Sequence, residues 1–210
     1  MRRCDSFIQP SRVFGDERAL NQLKEKNYLI FEKPNQLNII GIRSTEEPNK
    51  FDDTMFVFWK NEEGGKWFSK EYPITTDIGT YYLKNPMNKK LGSAMLKEGQ
   101  YKNTYKVGKH KGKYDALVQA KDVTTYRDYD RNATFDFGQK EVTGKFGINI
   151  HKAGENSNEV NNWSAGCQVF KKSKDFAEFM ELVKKQKNLY GNTFTYTLID
   201  KRAVEKKKVE

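Results

Sequence analysis

Cysteine and histidine are both scarce in this chain of 210 residues, which has two of each. Two cysteines supply no disulfide framework of the kind that staples small secreted domains. No apolar run approaches the roughly eighteen residues of a membrane span, and the first six residues lack the apolar stretch of a secretory signal. We therefore expect a protein that is made in the cytoplasm and has no membrane span.

Hydrophobic residues are also few, at 36% of the chain, but 14 Phe, 11 Tyr and 3 Trp bury a large area per residue. These aromatic residues can therefore supply a single hydrophobic core, and the chain length does not require a second domain. We divide the chain into an N-terminal helical segment over 1–27 that packs on the domain, a catalytic domain over 28–200, and a basic tail over 201–210.

Many short alternating segments, separated by turn residues, predict a mainly β protein. Helices are predicted over 16–24 and 174–186, the second with Ser173 as N-cap. Strands are predicted over 37–42, 55–59, 67–76, 79–83, 115–119, 123–127, 146–151, 167–170 and 193–199. This pattern favours a β-sandwich or a barrel-like domain with peripheral α-helices.

The most informative pair is His151 and Cys167, sixteen residues apart. A thiol attacks a carbonyl as thiolate, and a neighbouring imidazole can accept its proton. His151 ends one predicted strand and Cys167 begins another, with a polar loop between them, so adjacent strand ends would bring the two side chains together. Ser164, Ala165 and Gly166 are small, and backbone N–H groups at this turn are expected to form an oxyanion hole.

The order of His151, a loop, and then Ser164, Ala165, Gly166 and Cys167 resembles the catalytic signature of the L,D-transpeptidases, the YkuD-type domains that act on peptidoglycan stem peptides. His151 matches the histidine that this family uses as base. Ala165 stands where the family usually has a second histidine. The resemblance implies the L,D-transpeptidase fold, a cysteine nucleophile, a thioester intermediate, and no cofactor or metal.

Because Ala165 replaces the second histidine and no export signal is visible, we expect hydrolysis rather than transpeptidation. The activity would be that of an L,D-carboxypeptidase or endopeptidase. A wall enzyme without a visible export signal is typical of bacteriophage lysis proteins or virion-associated proteins, which act at the bacterial cell wall.

Four further residues are weaker candidates for substrate binding. His110 either lines the cleft, where it would stand in for the second histidine, or is a solvated loop histidine among lysines. Arg127 and Arg131 are the arginines suited to bind stem-peptide carboxylates, but a surface salt-bridge cluster with neighbouring aspartates would also explain them. Trp163 either walls the cleft or packs beneath it.

The net charge of +10 predicts attraction to anionic wall polymers, without specific nucleic-acid binding. Two other classes of protein stay open. A non-catalytic module that binds the cell wall or an anionic polymer would explain the lysine content. A zinc-dependent peptidase would need both histidines and a carboxylate such as Asp115 or Asp128 on one metal.

Overall fold

The fold is that of a computed structural model, which describes residues 14–44, 49–137, 140–155 and 157–200. The helices are α1 (Phe14–Glu25), α2 (Thr80–Lys84) and α3 (Ser173–Tyr190). The strands are β1 (Asn38–Arg43), β2 (Asp53–Lys60), β3 (Trp67–Thr75), β4 (Ser93–Leu96), β5 (Gly99–His110), β6 (Tyr114–Gln119), β7 (Val123–Asp128), β8 (Glu141–Gly144), β9 (Ile150–Lys152), β10 (Gln168–Phe170) and β11 (Phe194–Asp200).

Eight of these strands close into a barrel in the order β1, β11, β5, β6, β9, β10, β3, β2. A second sheet has three antiparallel strands in the order β4, β7, β8. The expectation of a mainly β, barrel-like domain with few helices is confirmed. None of the helices in the described part of the chain is long and apolar enough to cross a membrane.

The main core consists of alternate strand residues that face one side of the barrel wall, together with the apolar stripe of α3. Phe170 on β10 packs against Phe176 and Phe179 of α3. On the opposite side of the wall, Leu23 of α1 packs in a separate cluster with Phe56 and other residues of β1, β2 and β11. The predicted tail over 201–210 lies outside the described residues, as do residues 1–13.

Arg43 is a fully buried arginine at the end of β1 that joins the barrel to the smaller sheet. Its guanidinium donates to Thr76 Oγ1 at 2.9 Å and to the carbonyls of Thr76 and Leu96 at 3.1 and 3.0 Å. It also forms ion pairs with Asp77 at 3.2 Å and Asp200 at 3.4 Å. One side chain therefore holds β1, β4, β11 and the segment after β3 together.

Several predicted boundaries are wrong. The segment 79–83, predicted as a strand, begins helix α2, because the chain turns at Gly79, whose carbonyl accepts from the N–H groups of Tyr82 and Leu83. The strand predicted over 146–151 is reduced to β9. Ser173 is the first residue of α3 rather than its N-cap, a position that Lys172 occupies without a side-chain hydrogen bond. Strands β4, β5 and β8 were not predicted.

Candidate active site

The parallel pairing of β9 with β10 places Cys167 and His151 on one face of the barrel wall. Gln168 is in register with Ile150, and Val169 with His151. Ile150 and Phe170 point into the main core, whereas Val169 packs in a separate cluster that Cys167 also contacts. Because strand residues alternate between faces, Cys167 and His151 both lie on the side opposite the main core.

The turn that carries Cys167 has little steric freedom. Gly166 has a φ of 118°, and a Cβ at this position would lie 2.1 Å from the carbonyl oxygen of Ala94 on β4. The buried hydroxyl of Ser164 accepts from the Gly166 N–H at 3.1 Å and lies 2.7 Å from the carbonyl oxygen of Asp77 and 2.8 Å from that of Cys167. Ser164 thus ties the turn, through Gly166 and Cys167, to Asp77 in the segment after β3.

Cys167 is half-buried, and its thiol has two weak partners. Its S–H donates to the carbonyl of Gly147 at 3.5 Å, and its sulfur accepts from the Asn149 N–H at 3.5 Å. Burial raises the pKa of Cys167, and the Asn149 N–H opposes this only in part. The thiol is consequently neutral near pH 7.

His151 is buried, with 3% of its surface exposed. Its Nδ1 lies 2.9 Å from the carbonyl oxygen of Lys152, and Nδ1 must carry the proton to make this bond. Nε2 is then the free acceptor, which suits a general base. Burial first, and the neighbouring His110 second, lower the pKa of His151 to about 3, so the imidazole is neutral at physiological pH.

His110 stacks on His151, with ring centroids 4.0 Å apart and planes 21° from parallel. The Oδ1 of Asn149 accepts from the Gln119 N–H at 2.9 Å, so its Nδ2 donates to Nδ1 of His110 at 3.2 Å. His110 therefore carries its proton on Nε2, opposite to His151. The interpretation of His110 as a solvated loop histidine is wrong, because it is a buried residue at the end of β5.

Asn149 is a site residue that the sequence analysis missed. Its backbone N–H contacts the sulfur, and its carboxamide orients His110. The available signal was its position two residues before His151, on the same face of a predicted strand. Gln168 was missed as well; it is buried beneath the turn, where it donates to the Gly166 carbonyl at 3.3 Å and accepts from Tyr196 at 2.8 Å.

Within the described residues, no hydrogen bond joins the His151 imidazole to the Cys167 thiol. Both groups are neutral and each is bonded to a backbone carbonyl. The proton can pass from sulfur to Nε2 only after the S–H turns away from Gly147. The site is thus a neutral pair on one face and not a preformed thiolate–imidazolium ion pair.

A cleft of about 360 Å³ opens beside the stacked histidines. Trp163, with 40% of its surface exposed, lies on its rim as a wall residue. The other side chains that line the cleft are Tyr82, His110, Lys111, Lys113, Tyr114, His151, Lys152 and Asn162. The aromatic walls and lysine side chains suit an extended ligand that carries negative charge.

The predicted oxyanion hole differs in detail from the observed turn. The Gly166 N–H is already bonded to Ser164 Oγ, which removes it as a free donor. The N–H of Cys167 donates to no acceptor in the described part of the chain. Ala165, where the family pattern has a histidine, instead forms an isolated bridge with Ile78 and lines a second cleft.

The two candidate arginines have different surroundings. Arg127 on β7 is buried and lines the second cleft. Arg131 is on an exposed turn, donates to the Lys89 carbonyl at 3.1 Å, and lines neither cleft. The alternative of a salt-bridge cluster is wrong for both, because no ion pair between these arginines and the described aspartates forms.

The described residues contain no group of three or more His, Cys, Asp and Glu side chains placed to hold a metal ion. His110 and His151 use their Nδ1 atoms for Asn149 and Lys152, and no carboxylate in the part of the chain that the structure describes completes a ligand set with them.

Comparisons of the chain with protein-family models, with curated proteins and with solved structures find no match.

Proposed function

We propose that this protein is a cysteine-dependent enzyme that hydrolyses peptidoglycan stem peptides through a thioester intermediate, with an L,D-transpeptidase-like catalytic domain. The observation that carries the proposal is the register of β9 and β10. It sets His151, whose Nε2 is free and which lines an open cleft, on the same face of the barrel as the half-buried Cys167.

The reaction begins when Nε2 of His151 accepts the proton of the Cys167 thiol. The thiolate attacks the carbonyl carbon of the third stem residue, and the Cys167 N–H is the available donor for the oxyanion. The C–N bond then breaks, and the imidazolium protonates the departing amine of the D-amino acid. Water attacks the thioester with His151 as base, which releases the new carboxylate and returns the thiol.

The neutral resting state has a consequence for this mechanism. An imidazole with a pKa of about 3 is a weak base, and a thiol with a raised pKa is a weak acid. Bound substrate must therefore promote the proton transfer by bringing the S–H toward Nε2 and by taking up the negative charge as the sulfur–carbon bond forms. His110, stacked on His151, contributes the face of its ring and an Nε2–H donor near the reacting groups.

Digestion of purified sacculi, followed by mass analysis of the released muropeptides, tests the proposal. The wild-type protein is expected to release D-alanine or to cut crosslinks at the third stem residue. Cys167→Ala and His151→Ala should yield no product, whereas Cys4→Ala, which changes the other cysteine, should retain full activity. Product from Cys167→Ala would contradict the nucleophile assignment, and sacculus binding without any product would favour the non-catalytic wall-binding class.

A further inference from the structure

Arg127 is a buried arginine with unused hydrogen-bonding capacity. Only 3% of its surface is exposed, and its Nε has no hydrogen-bond partner. One Nη donates weakly to the Gly92 carbonyl at 3.4 Å, and the guanidinium lies 4.3 Å from the centre of the Phe146 ring. A guanidinium has five N–H donors, so most of them have no acceptor here.

Leaving a buried charge without a counter-charge is costly, and proteins rarely do so without a reason. No carboxylate in the described residues forms an ion pair with Arg127. Its sequence neighbour Asp128 instead accepts from the N–H groups of Asp130 and Asp136. Burial lowers the pKa of Arg127, which is the expected effect on an unpaired cation.

This arginine lines a second cleft, of about 220 Å³. The cleft also has Lys145 at its edge, and none of its lining residues is acidic. A planar guanidinium with a free Nε–H and a lysine beside it form a site for a carboxylate, which accepts two parallel hydrogen bonds from such a fork. The guanidinium packs over the Phe146 ring, which limits its movement.

The second cleft adjoins the nucleophile turn. Arg127 is the register partner of Ala94, and the carbonyl of Ala94 lies directly against Gly166, the residue before Cys167. Ala165 lines this cleft, and Tyr82 lines both it and the cleft beside the histidines. The two clefts therefore share Tyr82 as a wall, and an extended ligand that occupies both would run from His151 to Arg127.

We propose that Arg127 binds the α-carboxylate of the D-amino acid that leaves, a role that rests on the proposed peptidase function. That carboxylate lies one residue beyond the scissile carbonyl, and one residue of peptide spans roughly 3.8 Å. The inference makes the enzyme selective for substrates whose leaving residue has a free carboxylate. Peptides in which this group is amidated or extended are poor ligands.

Binding to the catalytically inert Cys167→Ala protein tests the inference without turnover. Two probes are compared by calorimetry: the stem tetrapeptide L-alanyl-γ-D-glutamyl-diaminopimelyl-D-alanine and the same peptide amidated at its C terminus. Because hydrogen bonds to charged groups are strong, the free acid should bind about 10- to 100-fold more tightly than the amide. Equal affinities, tighter binding of the amide, or no binding of either probe would overturn the inference.

A second substitution assigns the difference to Arg127. In the Cys167→Ala protein, the added substitution Arg127→Met should make the affinities of the two probes equal. Arg127→Lys keeps the charge but not the planar fork, and it should retain part of the difference in affinity. Lys66→Met removes one positive charge from an exposed turn at the far end of β3 and should leave the gap intact. A gap that survives Arg127→Met overturns the assignment.

The folding of the Arg127→Met protein is itself informative. Since the substitution removes an unpaired buried charge, its melting temperature should not fall, whereas a purely structural arginine would destabilise the protein when lost. If the protein binds the tetrapeptide through Arg127 but does not cut sacculi, the proposed function is wrong and the carboxylate subsite stands. If the Arg127→Met protein cuts sacculi as efficiently as the wild type, only the carboxylate subsite is wrong.

Discussion

The Cys167 thiol is held in its neutral form by its surroundings, although the residue as a whole is only half-buried. The neighbouring residues Phe51, Val160 and Val169 are apolar, and the two backbone partners are 3.5 Å away. Activated cysteines in other enzymes have positive groups beside the sulfur that lower the pKa. Here the positive charge of Lys111 lowers the pKa of Cys167 only in part, so the proposed mechanism relies on His151 to accept the proton.

We therefore predict slow alkylation of Cys167 by iodoacetamide at pH 7, with a rate that rises through pH 9 and beyond. The raised pKa means that the thiolate fraction grows only above the usual thiol range. Peptide mass analysis after timed exposure measures the rate. Fast alkylation at pH 7 would mean that a thiolate–imidazolium pair exists in the free protein.

At the scale of secondary-structure elements, the turn that carries Cys167 approaches β4 so closely that it leaves no room for a side chain. Gly166 meets the Ala94 carbonyl and has a positive φ, so two separate demands exclude a side chain there. The same contact seats the turn against β4, the strand whose Ala94 is the register partner of Arg127 on β7. The position of Cys167 relative to Arg127 thus depends on one glycine.

Gly166→Ala should destabilise the protein by about 3 kcal/mol or more, since it adds a backbone collision to the strain of a positive φ. Gly112→Ala is the matched control. Gly112 also has a positive φ, of 72°, but a Cβ there meets nothing within 4 Å, so its cost should be about 1–2 kcal/mol. Urea unfolding of both variants measures the difference, and equal costs would contradict the role of the Ala94 contact.

The elements that the sequence predicts well are those with a strong apolar period, such as α3 and the strands β2 and β11. The twelve-residue strand β5 was missed because its lysines and polar residues hide the alternation, although its last residue is His110. Segment 79–83 is a strand in the sequence-based prediction, but the packing of Gly79 against the Asn161 backbone turns the chain there.

The site itself was predictable only in part. The order of His151 and Cys167 and the strands that flank them are visible in the sequence, and the structure brings both residues to one face. The stacking of His110 and the contacts of Asn149 depend on the antiparallel neighbours β5 and β6, whose register no local pattern reveals. The sequence does not reveal either that Arg127 has no ion-pair partner among the described residues, because such a partner would come from a distant segment of the chain.

At the scale of the whole molecule, a buried cluster of charges closes one end of the barrel. Arg43 is surrounded by the carboxylates of Asp53, Asp77 and Asp200. Asp53 accepts from the N–H groups of Ser44 and Thr76, both at 2.6 Å. Burial first, and then the nearby Asp77, raise the pKa of Asp53 to about 7, since three carboxylates share one arginine.

This raised pKa predicts a pH-dependent difference between the wild-type protein and Asp53→Asn. Between about pH 4 and 7 the folded protein keeps a proton on Asp53 that the unfolded chain releases, so the carboxylate stabilises the fold less as the pH rises. The free energy of unfolding of the wild type, relative to that of Asp53→Asn, should fall by roughly a few kcal/mol over this range and be constant above it.

Urea unfolding of both proteins at several pH values measures this difference. The comparison must be relative, because His151, with its pKa lowered to about 3, has the opposite effect: it stabilises the fold increasingly as the pH rises to about 6.5. A relative stability that is constant or that rises with pH would show that Asp53 is ionised throughout.

The barrel is closed by a parallel pair between β1 and β11, two strands from distant parts of the chain. During synthesis, β1 leaves the ribosome long before β11. The edge of β1 that pairs with β11 therefore stays unpaired until β11 has been made. The Arg43 side chain likewise meets Asp200 only at that last step. A nascent chain therefore keeps an open barrel edge until translation has passed β11.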